Sequence, residues 1–272
     1  MAESEYLDAN RRRWDELVPI HLRSQHYDRE AFRAGKTSLH RVELEELGTE
    51  VPGRTLLHLQ CHFGLDTLSW ARMGAEVTGV DFSTSAIEAA TALAAETHLD
   101  AGFLASDVYS LPEKLHKQFD IVFTSYGVLC WLPDVTGWAS VVSHYLKPGG
   151  TFYMVEFHPF PSVFDGSEGL ERLRIRYPYF TPAQPIRTEE DGSYAVPDAQ
   201  LQNRVTYSWS HSIGEVVTGL IAAGLRIEFL HEFPFTVEPL YDLLKEVAPR
   251  EFRLKEHDGS MPFLYSVRAR KG

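Results

Sequence analysis

The chain is poor in what a thiol-based, nucleic-acid-binding or membrane-spanning protein needs. Only two cysteines, Cys61 and Cys130, occur in 272 residues, with no CxxC spacing. That excludes a disulfide framework and fits a reducing compartment. His58, Cys61 and His62 lie close in sequence, yet one thiol without a partner cysteine is not a recognisable metal or haem ligand set. Basic residues are the minority, 26 Lys and Arg against 38 Asp and Glu, for a net charge of -12. A nucleic-acid partner would want a basic face. The one dense basic run, Arg11 to Arg13, is followed at once by Asp15 and Glu16 and reads as a solvated helix face. No apolar run approaches the length of a membrane span. The polar start MAESEYLDANRRRWDEL is unlike a signal peptide, so the expected location is the cytoplasm. A P-loop pattern is missing, as is the GxGxxG of a dinucleotide-binding turn. There is no internal repeat and no low-complexity segment.

What is present is an ordinary core-forming composition, 44% apolar, and one stretch around which the rest is arranged. Thr55 to Ser83 reads as strand, tight turn, helix and second strand. Leu56, Leu57 and Leu59 form the first strand. Gly64 sits in the turn, where a residue without Cβ permits sharp bending or close approach of a ligand. Leu65, Leu68 and Met73 carry a helical period that Gly74 ends. The second strand, Glu76 to Val80, closes on Asp81. In parallel α/β sheets ligands bind beyond the carboxyl ends of the strands, and a carboxylate there can accept from both hydroxyls of a ribose. A nucleoside-containing ligand between Gly64 and Asp81 is the resulting expectation, with Phe82 against the base.

The βα rhythm continues on both sides of this unit. Ser83 is placed to cap a helix over Ala86 to Thr97. Strands are expected at Ala101 to Ala105, Phe119 to Thr124 and Thr151 to Phe157, with a helix over Val135 to Tyr145. After a long interruption come a helix (Ser212 to Ala223), a strand (Leu225 to Glu232), a helical piece (Glu238 to Val247) and a last strand (Phe263 to Ala269). This alternation predicts an α/β fold with a doubly wound, mostly parallel sheet. Asp107 stands just past the third strand and Glu156 at the end of the fifth, so three acids with Asp81 share one rim.

Two stretches stand outside the rhythm. Ala9 to Leu22 is expected to be helical, with Asn10 as a cap and Pro19 as a kink or break, and a short helix follows at Leu39 to Leu47. This arm is too polar to hold a core of its own and must lie on the main body as a brace or as a lid, with His21 and Tyr27 as the lid candidates. His158 to Trp209 holds six prolines and many aromatics; loops of that length are usually lids or added subdomains, and Val205 to Trp209 would be a strand of a small antiparallel insert. Four segments are thus expected: an arm at 1–48, a cofactor-binding core at 49–157, an aromatic lid insert at 158–209, and 210–272 completing the core.

The order of strand–turn–helix, VDFS, SDVYSLP, FDIVFTSYGVL and YLKPGGTFYMVEF resembles the class I S-adenosylmethionine-dependent methyltransferases of the small-molecule branch. The resemblance covers Thr55 to Phe157, and the later helix–strand pairs fit the seven-stranded, Rossmann-like version of that fold. It implies S-adenosylmethionine as cofactor and S-adenosylhomocysteine as product. Asp81 would hold the ribose hydroxyls, Phe82 flank the adenine, and Asp107 with Val108 meet its amino edge. Ser125 and Tyr126, after the fourth strand, would lie near the sulfonium. The turn residues Gln60, Cys61 and Gly64, with Tyr27 of the arm, complete the cofactor set. The family's first turn is usually DLGCGxG, whereas this chain reads HLQCHFG: His58 stands where an acid is common, and Gln60 and His62 where glycines are.

Methyl transfer from a sulfonium needs little covalent machinery: a nucleophile lined up behind the methyl, water excluded, and a base if the nucleophile carries a proton. Glu156 and His158 alternate out of the fifth strand toward one face, and a carboxylate beside an imidazole raises its basicity. His158 is therefore the expected base, assisted by Glu156, with Tyr126 as a hydrogen-bonding neighbour; the alternative is that Glu156 caps a backbone turn and His158 merely begins the loop. Tyr179, Phe180, Trp209 and His211 are candidates for an aromatic substrate wall suited to a flat or cationic small molecule. The insert would pack on its own subunit or on that of a homo-oligomeric partner. Competing readings are an NAD(P)-dependent oxidoreductase, since an acid ending the second strand serves NAD as well, and a non-catalytic S-adenosylmethionine-binding module.

Overall fold

The structure, a computed structural model, describes residues 2–165 and 173–272. Its centre is a seven-stranded sheet in the order β10-β13-β5-β4-β1-β2-β3. These strands are β1 (Thr55–Leu59), β2 (Glu76–Asp81), β3 (Ala101–Ala105), β4 (Phe119–Thr124), β5 (Leu146–Phe157), β10 (Leu225–Phe233) and β13 (Leu264–Lys271). All neighbouring pairs from β3 to β5 are parallel. Only β13 runs against its neighbours, pairing antiparallel with both β5 and β10. The strands of the middle are apolar nearly throughout because helices cover both faces. The period-two alternation of a strand divides them. Leu57, Leu59, Val122 and Met154 pack toward α6 (Val135–Tyr145) and α7 (Ile213–Ala222). Leu56, Ile121, Phe123 and Tyr153 face the opposite way, with Trp70 and Leu47.

The helices start where their capping residues say. Ser83 accepts from Ala86 N–H at the head of α5 (Thr84–Thr97), Asp134 from Gly137 N–H before α6, and Ser212 from Glu215 N–H before α7. Each such cap is worth about 1 kcal/mol. The helix α4 (Leu65–Arg72) follows the β1 turn directly.

Three local expectations are corrected. The helix α1 covers Ala2–His21, beginning well before Asn10 and running through Pro19. Proline that near a helix end forfeits little of the ladder. Residues 238–247 are not helical. Leu244–Ala248 (β11) pairs antiparallel with Glu251–Leu254 (β12), turning at Pro249 and Arg250, the latter at φ 56°. Proline stops a helix there, and the hairpin buries Leu244 and Leu254 together with Phe263. The short helices of the arm are Arg29–Arg33 (α2) and Arg41–Glu46 (α3).

Between β5 and α7, Phe164–Asp165 (β6) pairs with Arg174–Ile175 (β7), and Ile186–Glu189 (β8) with Val205–Ser208 (β9), both antiparallel. The second pair carries the strand expected at Val205. It is held by α1. Asn10 binds both backbone groups of Tyr207. Glu16 accepts from Gln202 N–H and from the backbone and side chain of Asn203. Arg13 donates to the carbonyls of Glu190, Gly192, Asn203 and Arg204. Arg13 is therefore no part of a solvated basic face: it is 5% exposed, its charge met by four carbonyl oxygens.

Candidate active site

The turn after β1 lies at the carboxyl rim of the sheet, and its backbone is unusual. Gln60, His62 and Gly64 have φ of 59°, 50° and 81°. The chain keeps a left-handed, alternating conformation at the positions where its resemblance calls for glycine, although two of the three residues carry side chains. Left-handed backbone costs an L-residue roughly 1–2 kcal/mol, and such strain persists only where neighbours enforce it. Here Cys61 N–H donates to Val80 O at 2.9 Å, His62 N–H to Asp81 Oδ2 at 2.8 Å, and the Gln60 amide to Val128 O at 3.0 Å. Gly64 cannot be replaced in this way, because a Cβ there would come within 2.9 Å of the Phe103 ring.

Asp81 is 8% exposed. Besides His62 N–H it accepts from Ser83 N–H at 2.9 Å. Burial pushes its carboxyl up to about 6, against the pull of those two N–H groups. The carboxylate has further lone pairs for a ligand hydroxyl. Asp81 pairs with Ala105 across β2 and β3, so Asp107 stands on the adjacent strand end. One of its oxygens accepts from Ser110 N–H at 2.9 Å. Phe82 is half-buried between these acids, whereas Val108 is buried and packs into the core on the α6 side.

Ser125 ends β4. Its hydroxyl lies 3.3 Å from His58 Nε2 and 3.5 Å from Asp66 Oδ2. His58 in turn meets Thr67 Oγ1 at 2.8 Å through Nδ1, and burial pulls it down to about 3. The imidazole in place of the common acid is thus an uncharged strut between β1, α4 and the end of β4. Cys61 turns its thiol inward, where a Cβ on Gly79 would lie 2.9 Å from Sγ; burial pushes the thiol well up. Only its backbone belongs to the rim.

The arm covers this rim. Asp15 accepts from Ser83 Oγ at 2.6 Å and Ser85 N–H at 3.3 Å. Trp14 meets His62 and Trp131 edge-on at 5.3 and 5.6 Å. His21 Nδ1 is 3.2 Å from His62 Nε2, and its Nε2 is 3.0 Å from Ser193 Oγ of the insert. Tyr27 packs edge-on against His62 and Phe63, and its hydroxyl meets that of Tyr194. Burial pulls His21 down to about 4. The enclosure over the rim is therefore Trp14, His21, Tyr27, His62, Trp131 and Tyr194, drawn from four separated parts of the chain.

The expected base is not assembled. Glu156 spends its carboxylate on backbone: it accepts from Gly127, from Val128 at 2.9 Å, from Leu129 at 3.1 Å and from Phe157 at 2.7 Å. His158 accepts from Phe160 N–H at Nδ1, 3.1 Å, and donates from Nε2 to Glu232, 2.8 Å. Tyr126 donates to Glu43 at 2.6 Å. Glu156 and His158 leave the end of β5 two positions apart, but they and Tyr126 are each engaged by other partners. The substrate wall also disperses. The Trp209 N–H donates to Cys130 O at 2.9 Å, and His211 Nε2–H to Leu132 O at 2.7 Å. Both residues are buried, fastening the insert to the segment after β4. Phe180 is 74% exposed and meets Tyr179 edge-on.

A doubly wound sheet in this order, with the last strand, β13, reversed between β5 and β10, and a left-handed turn locked to the acid of β2 define a fold class. That fold is the one shared by class I S-adenosylmethionine-dependent methyltransferases, and part of the chain matches a methyltransferase domain. The family model described as "Methyltransferase domain" matches residues 57–152. A ubiquinone biosynthesis O-methyltransferase of Xanthomonas euvesicatoria pv. vesicatoria (strain 85-10) is 30% identical over 142 residues, which is 50% of this chain and 59% of that protein. The match thus spans little more than half of that relative. Among solved structures, an S-adenosylmethionine-dependent methyltransferase from Mesorhizobium loti superposes with a TM-score of 0.58 at 22% identity, over 88% of this chain and 100% of that one. The glycopeptide N-methyltransferase MtfA in complex with S-adenosylmethionine gives 0.53 at 17% identity, over 85% and 86%.

Proposed function

We propose that this protein transfers a methyl group from S-adenosylmethionine to a small aromatic or nitrogen-containing metabolite by in-line displacement, releasing S-adenosylhomocysteine. The observation that carries the reading is the strained turn Gln60–His62–Gly64 with its brace to Asp81. A chain maintains left-handed side-chain-bearing residues where something must approach the backbone closely. The donor set fits the cofactor. Gln60 Oε1 is buried without a partner among the described residues, an acceptor suited to an ammonium. Asp81 supplies lone pairs for ribose hydroxyls, Phe82 a half-buried ring for the adenine face, and Asp107 with the Val108 backbone a polar edge. Ser125 stands at the end of β4 for the sulfonium side. Bound there, the cofactor supplies an electrophilic methyl carbon.

The chain's own part is to align and to exclude water. The arm (1–48) and the insert (158–209) act as one lid, with Tyr27 and Trp14 over the turn. The rim's acids account for nucleoside binding without the GxGxxG of an oxidoreductase. The printed name of the Xanthomonas relative favours oxygen as acceptor atom and that of MtfA favours nitrogen; the two leave the atom to experiment.

Calorimetry tests the reading. S-adenosylhomocysteine is expected to bind at micromolar Kd and NADH not at all. Gly64→Ala, which forces a Cβ against Phe103, should weaken binding at least tenfold. Equal binding of the nicotinamide cofactor would reject the proposal. Turnover of a labelled methyl group onto an acceptor from a panel separates an enzyme from a binding module.

A further inference from the structure

Four stretches of chain converge on Tyr126, two residues beyond β4. The arm brings His26, His40 and Glu43. The first turn of α4 brings Asp66, the middle of β5 brings Tyr153, and the segment between β10 and β13 brings Glu238 and Arg250.

Glu43 is 0% exposed. Its Oε1 accepts from His40 N–H at 2.8 Å and its Oε2 from the Tyr126 hydroxyl at 2.6 Å. Tyr126 is half-buried, and its hydroxyl is the side-chain group that meets the buried carboxyl. The His40 ring stands edge-on to Tyr126 at 5.2 Å. Asp66 accepts from Ser38 at 2.6 Å and lies 3.5 Å from Ser125, tying this cluster to the sulfonium side of the rim. Arg250 is paired with Glu238 at 2.9 Å, and the same Glu238 oxygen is 3.6 Å from His26 Nε2.

We propose that Tyr126 and Glu43 form the proton-accepting pair for the methyl acceptor, and that the acceptor presents a phenolic or enolic hydroxyl to Tyr126. This rests on the methyl-transfer reading above. The acceptor hydroxyl gives its proton to Tyr126 Oη as Tyr126 gives its own to Glu43 Oε2. The acceptor oxygen forms the new bond to the donor's methyl carbon, and the pair of the broken C–S bond stays on sulfur. Tyr126 touches the acceptor; Glu43 acts through it and is a positioning residue.

The surroundings support this chemistry. Burial pushes Glu43 up to about 8, close enough to a phenol near 10 for proton transfer to be efficient and far from an alkyl alcohol. Tyr126 is itself pushed well up, by burial and by Glu43, so it relays a proton without resting as a tyrosinate. The groups facing the pair are His40, Asp66 and Tyr153, with Arg250 acting on His40 and Asp66 from the hairpin. His40 is pulled down to about 3 and is uncharged near neutral pH, and Glu238 is already engaged by Arg250. A neutral hydroxyl is the group from which such a relay takes a proton.

Tyr126→Phe, which keeps the ring, and Glu43→Gln are the variants. Calorimetry with S-adenosylhomocysteine should give both the wild-type Kd within about threefold. Failure of the wild-type protein to bind overturns the cofactor reading and is thereby distinguishable. Infrared titration should show a protonated-carboxyl band that disappears near pH 8, is missing in Glu43→Gln, and persists to higher pH in Tyr126→Phe. With labelled donor and a panel of phenols and amines, kcat on phenols should fall at least 100-fold in Tyr126→Phe with KM little changed. The wild-type rise of kcat toward pH 8 should be lost in Glu43→Gln. Titration of Glu43 in the ordinary carboxyl range, full turnover in Tyr126→Phe, preference for amines, or no phenol turned over would each overturn the proposal.

Discussion

The side-chain amide of Asn10 imitates a strand. Its Nδ2–H donates to Tyr207 O at 2.7 Å and its Oδ1 accepts from Tyr207 N–H at 2.9 Å, so a residue in mid-helix satisfies both backbone groups of a residue on β9. With Arg13 and Glu16 it forms one face of α1, at spacings of three, and that face holds the insert through its backbone. Asn10→Ala is expected to lower the unfolding free energy by about 2 kcal/mol, and Arg13→Ala by about 3 kcal/mol, because each leaves buried backbone groups without partners. Urea denaturation measures this. Limited proteolysis should show cleavage within 190–204 accelerated in Arg13→Ala. Wild-type melting together with unchanged protection of that segment would mean that the arm does not hold the insert.

His21 and Glu43 should tilt the stability profile in opposite senses, in windows that overlap between pH 4.5 and 6.5. His21 is pulled down to about 4 by burial. Between its ordinary value near 6.5 and that point the unfolded chain binds a proton that the folded one does not, so stability falls as pH drops from 6.5 toward 4. The His21–His62 contact then opens and the arm loosens. Glu43 is raised from 4.5 to about 8, so its contribution is complete below 4.5 and is lost as pH rises through 8. In thermal melts against pH, His21→Asn should lose the fall in stability from pH 6.5 toward 4, and Glu43→Gln the fall from pH 4.5 to about 8. Parallel profiles in wild type and both variants would refute the assignments.

Glu156 and His158 should behave differently on mutation. Glu156→Gln keeps one acceptor oxygen where four backbone N–H groups converge, and is expected to cost about 2–3 kcal/mol. Through the loosened 127–129 turn it should lower turnover as well. His158→Ala, whose imidazole bonds Glu232 and Phe160, should keep turnover within about threefold. A hundredfold loss in His158→Ala with S-adenosylhomocysteine binding intact would return the base to His158.

Much of the frame was written in local signals. The apolar runs of β1, β4 and β5 need nothing beyond burial on both faces, and the caps Ser83 and Ser212 act on residues three positions away. Asp81 and Asp107 end strands whose order follows from the alternation itself. The segment at 238–247 misleads because its period suits a helix, while Pro249 and the chance to bury Leu244 on Leu254 favour a hairpin. The site was legible only where its residues belong to consecutive βα units. Glu43 carries the mark of a capping residue, and nothing near it in sequence announces Tyr126.

By itself, then, the sequence determined the strands of the central sheet, the starts of α5, α6 and α7 and the acids of the rim, since each depends on neighbours within a few positions. Only the tertiary structure decided what Arg13, Glu43, Glu156 and His62 bind. Their partners lie far along the chain: 83 positions separate Glu43 from Tyr126, and 177 or more separate Arg13 from the carbonyls it caps. A buried charge takes whichever dipoles the fold brings within about 3 Å, and that is settled by packing, not by spacing.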